Sequence, residues 1–360
     1  MVDTSTEPKQ ANELWRRLTA TSWIRELYRD GNPAHGLNAT VLRALFTYLD
    51  DNESVGTTLG ICVQSTTALP LLAAARRDES ALDPLSVIAD AVLAGKQMVG
   101  LAATDDTPGS NLTTLATTVT IDDERVILSG RKKWIANAVF ASHLLVLARQ
   151  RAGSAFTNFT WVVVPTDAPG VTVEAVPAPL FAGSGTGHAT FRDVTLPLAY
   201  LGGPVGRGLI DFASHICVER LASAMWGHAM CARVLRETVD YLRQRGQGPA
   251  NLWGKEEIRR RIAKCLISTT LLDILLDRCQ HDILDRHDSL SASLVKATAA
   301  DTVEEVLSVT SHLQGARAFI DGGLQTLRAQ AGLWSIGGGT YEVMLSTIAA
   351  HADHLLGEAS

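Results

Sequence analysis

The sequence lacks most features that mark disulfide-bonded, metal-binding or secreted proteins. Its five cysteines are scattered and contain no Cys-x-x-Cys pair, so reduced thiols are expected instead of a disulfide framework. Its ten histidines form no His-Glu-x-x-His motif, so no metal site is expected. The start, MVDTSTEPKQANELW, lacks the basic-then-apolar order of a secretory signal. Together these absences predict a cytoplasmic protein.

Long apolar runs and extended basic stripes are also missing. No stretch approaches about 18 consecutive apolar residues, the length that a membrane-spanning helix needs, so no membrane partner is expected. The net charge is −6, which argues against nucleic acid as a partner. What the chain does have is 360 residues, 46% of them hydrophobic, enough for two or three domains with a large core.

The pattern of apolar residues changes twice along the chain. Over residues 12–97, apolar residues recur at spacings of three and four, which predicts helices. Residues 98–203 contain short β-branched runs such as FTWVVVP and GVTVEAVP, divided by turn dipeptides, which predicts an antiparallel β-domain. Helical periodicity returns over residues 204–360. The sequence therefore predicts an α+β protein of three domains, with a β-domain between two helical ones.

Four short motifs resemble the acyl-CoA dehydrogenase family. LAATDDTPGSNL (101–112) is similar to the family's Thr-Glu-Pro-x-x-Gly-Ser-Asp turn, and LSGRKKWIANAV (128–139) to its Gly-x-Lys-x-Trp-Ile-Thr-Asn segment. ICVERLASAMWGHA (216–229) is similar to the start of its central C-terminal helix, and SIGGGTYEV (335–343) to its last active-site loop. The resemblance spans about residues 12–355 and implies an N-terminal helical domain, a central antiparallel β-barrel and a C-terminal four-helix bundle.

The family binds FAD, so the resemblance implies flavin contacts at matching positions. Thr104 corresponds to the threonine that holds the flavin pyrimidine edge, and Trp134 to the tryptophan that packs on the flavin. Gly109 and Ser110 match the Gly-Ser near the pyrophosphate and the thioester arm. Taken singly, Pro-Gly-Ser is a common turn and a strand Trp is usually a core residue. The two motifs occurring together favour the flavin site.

Three more positions carry cofactor contacts by resemblance. Arg245 falls where the family has an arginine that reaches the neighbouring subunit's FAD phosphates, although it could equally be a solvated helix-end charge. Gly315 matches one glycine of the paired-glycine turn at the same contact, and Thr340 belongs to the shared Gly-Thr of the last loop. Contacts to a neighbour's cofactor imply a homodimer or homotetramer.

Several departures from the family pattern are each expected to weaken a flavin contact. The family's Glu-Pro is Asp105-Asp106 here, and the Thr or Ser that bonds flavin N5 is Ala136. The glycine before Gly315 is Gln314, and the Phe after the adenine-side arginine is absent from Gly-Gln-Gly-Pro. We therefore expect weaker FAD binding or a changed flavin potential.

The family reaction removes an α-proton from an acyl thioester while a hydride leaves the β-carbon for flavin N5. Most members use a glutamate in a Tyr-Glu-Gly-Thr loop, and aligning the shared Gly-Thr puts Gly338 at that position. A minority, typified by isovaleryl-CoA dehydrogenase, has a small residue there and carries its base in Glu-Arg-Leu on the central helix. Glu219 is therefore the predicted base, and the backbone N–H of Gly338 the predicted partner of the thioester carbonyl. The alternative is a structural Glu219 paired with Arg220 or another cation.

The helix around Glu219 suggests room for a ligand. Glu219 shares a helix face with Ala222 and with Trp226, which is about 20° away around the axis. Because Ala222 and Ser223 are small, we expect this face to leave space beside the carboxylate. Desolvation raises the pKa of a carboxyl group, as a base working near neutral pH requires.

Several functions stay open on the sequence alone. The leading one is FAD-dependent oxidation of an acyl thioester, carried by CoA or by an acyl or peptidyl carrier protein, with electron-transfer flavoprotein or oxygen as acceptor. GSGTGHATFRDVTLP is similar to members that act on carrier-bound groups in specialised metabolism, including oxidation at a hydroxyl- or amino-bearing carbon. A flavin monooxygenase on the same fold is a second possibility, opposed by Glu219 and left open by Ala136. A flavin-free, non-catalytic scaffold is a third.

Overall fold

The computed structural model describes residues 10–76, 83–106, 111–246 and 251–357. Its first part is helical, as predicted, and the side chains of Ser54 and Asp83 cap two of the helix starts by accepting from Thr57 N and Ser86 N. The α-helices of this part are α1 (Ala11–Thr19), α2 (Trp23–Leu27), α3 (Ala39–Asn52), α4 (Val55–Val63), α5 (Leu69–Ala74) and α6 (Pro84–Leu93).

A π-helix, Gln64–Ala68, joins α4 to α5, so that the three form one continuous helical stretch. By length and composition alone this stretch, Val55–Ala74, could cross a membrane, but 94% of its apolar window is buried inside the fold. Such burial is the environment of a core helix.

One curled sheet makes up the middle of the chain. In the described residues its strands are β1 (Val99–Ala102), β2 (Thr118–Ile121), β3 (Arg125–Ile135), β4 (His143–Arg149), β5 (Phe159–Pro165), β6 (Val171–Ala175) and β7 (Gly187–Pro197). The strands pair in the order β1-β4-β2-β3-β7-β6, with β5 on β4. The sheet's inner face is apolar, and its buried side chains include Val126, Leu128, Leu144, Val146, Val162, Val164, Phe191 and Val194.

The sheet is mainly antiparallel, as predicted, but two of its strand pairings are parallel. β1 runs parallel to β4, with Val99 opposite His143, and β2 meets β4 in parallel at Thr118 and Arg149. The other pairings are antiparallel. A parallel pair requires a long crossover, and here the β2–β3 hairpin lies between β1 and β4 in the chain. Such a pairing has no local signature in the sequence.

The last part is again helical. Long helices come first and shorter ones follow: α7 (Gly208–Gln244), α8 (Glu256–Arg286), α9 (Ser289–Gln314), α10 (Leu324–Gln330), α11 (Gly332–Ile336), α12 (Tyr341–Ala349) and α13 (Ala352–Leu356). α8, α10, α11 and α12 all pack on α9. The predicted order of helices, sheet and helices is confirmed.

The chain divides into two compact units, Met1–Leu42 with Glu53–Glu219, and Arg43–Asn52 with Arg220–Ser360. The division into three domains at 12–97, 98–203 and 204–360 stays a prediction. All five cysteines lie in the described residues and are buried thiols, in keeping with their scattered positions.

Candidate active site

In the first unit, a buried ion pair holds the turn that follows β1. Asp105 and Lys132 are in contact, and their side chains are 1% and 0% exposed. Lys132 Nζ also donates to Ala103 O at 2.9 Å. Burial lowers the pKa of Lys132, and the Asp105 carboxylate opposes that shift. The carbonyl of Thr104, the predicted flavin residue, accepts from Lys133 N at 2.9 Å, so the backbone of this turn is fixed against β3.

Asp105, where the family has glutamate, has a structural task. Its Oδ2 accepts from the backbone N–H groups of Ala116 and Thr117 at 2.6 and 2.7 Å. Asp106 instead forms a partly exposed ion pair with Lys133. The substitution therefore keeps a buried, hydrogen-bonded carboxylate that stabilises the turn. Gly109 and Ser110, the other predicted cofactor residues of this motif, lie outside the described residues.

Trp134 is not a core residue. Its side chain is 63% exposed, and its φ of 56° lies in the left-handed region that bulky residues rarely occupy. Its backbone N–H donates to His188 Nδ1 at 3.2 Å, and the two rings meet edge to face with centroids 5.2 Å apart. Desolvation lowers the pKa of His188, which favours the neutral ring that can accept this bond. Ala136, two residues on, is buried and carries no hydroxyl group.

Glu219 lies on α7 and is half-buried. Its Oε2 accepts from Thr67 Oγ1 at 2.6 Å, and Thr67 is fully buried in the π-helix Gln64–Ala68. Sequence reasoning missed Thr67. The available signal was the polar run QSTT inside the apolar segment ICVQSTTALPLLAA, since polar residues in a buried helix need hydrogen-bond partners.

The expected ligand space along the helix face of Glu219 is only partly present. Ala222 and Trp226 are fully buried, while Ser223 is half-buried. Trp226 packs against Trp334, with ring centroids 4.6 Å apart, and Trp334 Nε1 donates to Ser223 O at 2.8 Å. Helical periodicity places Trp226 on this face but cannot show that another tryptophan packs against it.

In the second unit, the three glycines form the loop between α11 and α12. Gly338 and Gly339 have φ values of 74° and 108°, which favour glycine. Arg220 Nε donates to Gly338 O at 2.9 Å. A Cβ on Gly339 would lie 3.0 Å from Arg220 Nη2 and 3.1 Å from Met344 Cε. The loop backbone therefore lies close to Arg220, and a side chain at position 339 would require the ends of the Arg220 and Met344 side chains to shift.

Thr340 begins α12, but its side chain makes no capping bond. Its carbonyl accepts from Met344 N at 3.2 Å. The loop geometry is thus set by Arg220 and by glycine conformation, not by a side-chain cap of the kind that commonly starts a helix.

The two residues predicted to reach a neighbour's cofactor are both exposed. Arg245 follows α7, and its guanidinium pairs with no acidic side chain among the described residues. Gly315 ends α9 with φ 58° and ψ −134°, and no atom lies within 4 Å of where its Cβ would be. Gln314 is buried and donates to Thr238 Oγ1 at 3.0 Å, so this departure from glycine serves packing. Gly248 lies outside the described ranges.

Two domain models of one protein family match the chain. The acyl-CoA dehydrogenase middle domain matches residues 100–194 and the acyl-CoA dehydrogenase C-terminal domain residues 206–352. Acyl-[acyl-carrier-protein] dehydrogenase MbtN of Mycolicibacterium paratuberculosis is 27% identical over 289 residues, covering 76% of this chain and 71% of its own. The mitochondrial long-chain specific acyl-CoA dehydrogenase of Rattus norvegicus is 24% identical over 328 residues, covering 87% and 73%.

Solved structures share the fold over nearly the whole chain. Butyryl-CoA dehydrogenase from Megasphaera elsdenii superposes with a TM-score of 0.86 at 17% identity, covering 96% of this chain and 90% of its own. The FAD complex of PigA gives a TM-score of 0.86 at 19% identity, covering 97% and 90%. At these identities the likeness establishes the fold.

Proposed function

The chain belongs to the acyl-CoA dehydrogenase family, oxidoreductases acting on CH–CH bonds, and on that premise we propose that it oxidises an acyl thioester with Glu219 as the base. The observation that carries the proposal is the Glu219 carboxylate, half-buried on α7 and bonded at 2.6 Å by Thr67. Position 338, where most members have their glutamate, is glycine, so the loop offers no carboxylate there. A positioned carboxylate is the group that proton abstraction requires.

In the proposed reaction, Glu219 takes a proton from the α-carbon, and a hydride leaves the β-carbon, so that a double bond forms between them. Because the α-carbon is weakly acidic, the thioester carbonyl must be polarised, and the backbone N–H of Gly338 can donate without a side chain. Arg220 restrains the peptide that follows Gly338. Bound FAD would supply the acceptor for the hydride.

The described residues fit FAD. Trp134 presents an exposed indole face of the kind that packs on an aromatic ring system. Gly315 leaves its surroundings open, and Arg245 offers an exposed cation suited to phosphate on a neighbouring subunit's cofactor. Ala136 offers the flavin no hydroxyl group, so we propose that FAD is held without that bond and less tightly than is usual in the family.

Two thioester carriers have support from relatives. MbtN is named as a dehydrogenase of acyl groups on acyl carrier protein, whereas the rat relative is named for acyl-CoA. We propose that this chain accepts acyl groups on a carrier protein, with CoA as the second candidate. Electron-transfer flavoprotein or oxygen is the proposed acceptor.

The purified protein should bind stoichiometric FAD, and the flavin absorbance should bleach when a butyryl thioester is added without oxygen. The same butyryl group is offered as its CoA thioester and as its acyl-carrier-protein thioester. Its β-hydroxy and α-amino analogues are then tested in the same way. Faster bleaching by the carrier-bound form identifies the carrier, and bleaching by an analogue alone favours oxidation at the substituted carbon.

Two outcomes would contradict the proposal. A colourless protein that FAD does not reconstitute would favour the scaffold. A flavin reduced by NADH but by no thioester would favour the monooxygenase.

We also propose a homodimer or homotetramer. On α8, Ile267, Leu271 and Ile274 are 60%, 58% and 60% exposed at spacings of four and three, which aligns them on one face. An aligned apolar face of this kind is a common site of protein association.

Leu271→Arg should shift the protein toward monomers, because a charge in an apolar interface is costly. Sedimentation velocity measures the change. Val87→Arg is the matched control, since Val87 is an apolar side chain that is 53% exposed on a different helix, α6. A parent protein that loads FAD as a monomer would overturn the proposal.

A further inference from the structure

We propose that Thr67 is a positioning residue for Glu219, whose hydroxyl group keeps the carboxylate ionised and fixes its orientation. The inference rests on the proposed function, in which Glu219 is the base. Thr67 touches neither a cofactor nor the reacting atoms in this scheme, and it acts only through Glu219.

The geometry is that of a bond to a charged acceptor. Thr67 Oγ1 donates to Glu219 Oε2 at 2.6 Å, and Thr67 is 0% exposed. Bonds from a hydroxyl group to a carboxylate have lengths of about 2.5–2.7 Å and are roughly twice as strong as neutral ones. Since Thr67 is shielded from water, the bond does not compete with solvent on the donor side.

The neighbouring hydroxyl groups show that this bond is selective. Ser65 Oγ donates to Ile61 O and Thr66 Oγ1 to Cys62 O, both at 2.7 Å and both four residues back in the same helix. This back-bonding is the ordinary behaviour of Ser and Thr in helices. Thr67, the next residue, donates to α7 instead.

The π-helix Gln64–Ala68 explains how Thr67 reaches α7. A π-turn inserts one residue, and in an α-helix one residue corresponds to about 100° of rotation. The residues after the insertion therefore face a different neighbour than an uninterrupted α-helix would give them. We infer that this insertion directs Thr67 toward Glu219.

The consequence of this bond is that Glu219 can stay ionised, and so able to accept a proton, although it is partly buried. Desolvation favours the protonated form of a carboxyl group, and a hydrogen bond to the ionised form opposes it. The titratable side chains of α7 within one turn of Glu219 are His215, Cys217 and Arg220. His215 Nδ1 lies 2.8 Å from Asp211 O, and Arg220 Nε donates to Gly338 O. The π-helix itself carries no titratable side chain.

The test compares the pH–rate profiles of flavin reduction in the parent, Thr67→Val and Thr67→Ser. Thr67→Val keeps the shape of the side chain and removes the hydrogen-bond donor. The acidic limb of the pH–rate profile should therefore move to a pH higher by about one unit, because the ionised carboxylate loses a stabilising bond. Thr67→Ser keeps the hydroxyl group and should restore the parental limb. Thr66→Val is the matched control, because it removes a buried hydroxyl group one residue away that bonds only the helix backbone. Its limb should stay at the parental pH.

A second readout does not depend on catalysis. Infrared titration of the flavin-free protein, with Glu219→Gln subtracted, follows the Glu219 carboxyl directly, and its midpoint should rise by the same amount in Thr67→Val. Thr67→Ala gives the same comparison if Thr67→Val does not fold.

The outcomes separate the two proposals. Glu219→Gln at the parental rate would overturn Glu219 as the base, and the positioning role with it. The role of Thr67 alone would be overturned if Glu219→Gln slows flavin reduction but Thr67→Val shifts neither the acidic limb of the pH–rate profile nor the infrared titration midpoint.

Discussion

Glu219→Gln should slow single-turnover flavin reduction by an acyl thioester by roughly 10²- to 10⁴-fold, the usual contribution of a positioned base. Glutamine keeps the shape of the side chain and can still accept a bond from Thr67, but it cannot take up the α-proton. Stopped-flow absorbance without oxygen measures the rate. The FAD content should stay at the parental level, because no proposed flavin contact involves Glu219.

Glu305→Gln is a close control for this substitution. Glu305 is also half-buried on a helix, and it also accepts from a hydroxyl group at 2.6 Å, from Ser268 Oγ. It lies on α9 and has no role in the proposed reaction. Its variant should reduce flavin at the parental rate. Equal rates for the parent and Glu219→Gln would make Glu219 structural and require another base.

Lys132→Met should lower the free energy of unfolding by about 3–5 kcal/mol, because it leaves the buried Asp105 carboxylate without its cation. Denaturant titration followed by circular dichroism measures the loss. Asp105 also holds the N–H groups of Ala116 and Thr117, so the turn carrying Thr104 should loosen and FAD affinity should fall as well.

Lys133→Met provides the contrast from the next residue. Lys133 pairs with Asp106, but both side chains are partly exposed, and exposed ion pairs contribute about 0–1 kcal/mol. A loss as large as that of Lys132→Met would show that lysine at either position matters for reasons other than buried charge.

The sequence predicted features that depend on local pattern. Apolar spacing and β-branched runs give the order of helices, sheet and helices, because each pattern reflects burial within its own segment. The combination of Glu219 with a glycine at position 338 identified the candidate base from residue identity alone.

Features that depend on residues distant in sequence could not be predicted. The parallel pairing of β1 with β4 depends on how the chain folds back, not on either strand's own composition. The packing of Trp226 against Trp334 likewise joins residues that are more than a hundred positions apart in the sequence. Thr67 could not be assigned to Glu219, since the π-turn that directs it has no simple sequence signature.

The burial of all five cysteines bears on how well this protein would resist oxidation during turnover. A flavoenzyme that passes electrons to oxygen generates hydrogen peroxide at its own surface, and thiolates are the protein groups that peroxide attacks first. Burial raises the pKa of the Cys231, Cys265 and Cys279 thiols, which keeps them protonated and shielded. If oxygen is the acceptor, the fold already shields the cysteine sulfurs from the hydrogen peroxide that turnover produces. Turnover in air then need not inactivate the enzyme by thiol oxidation.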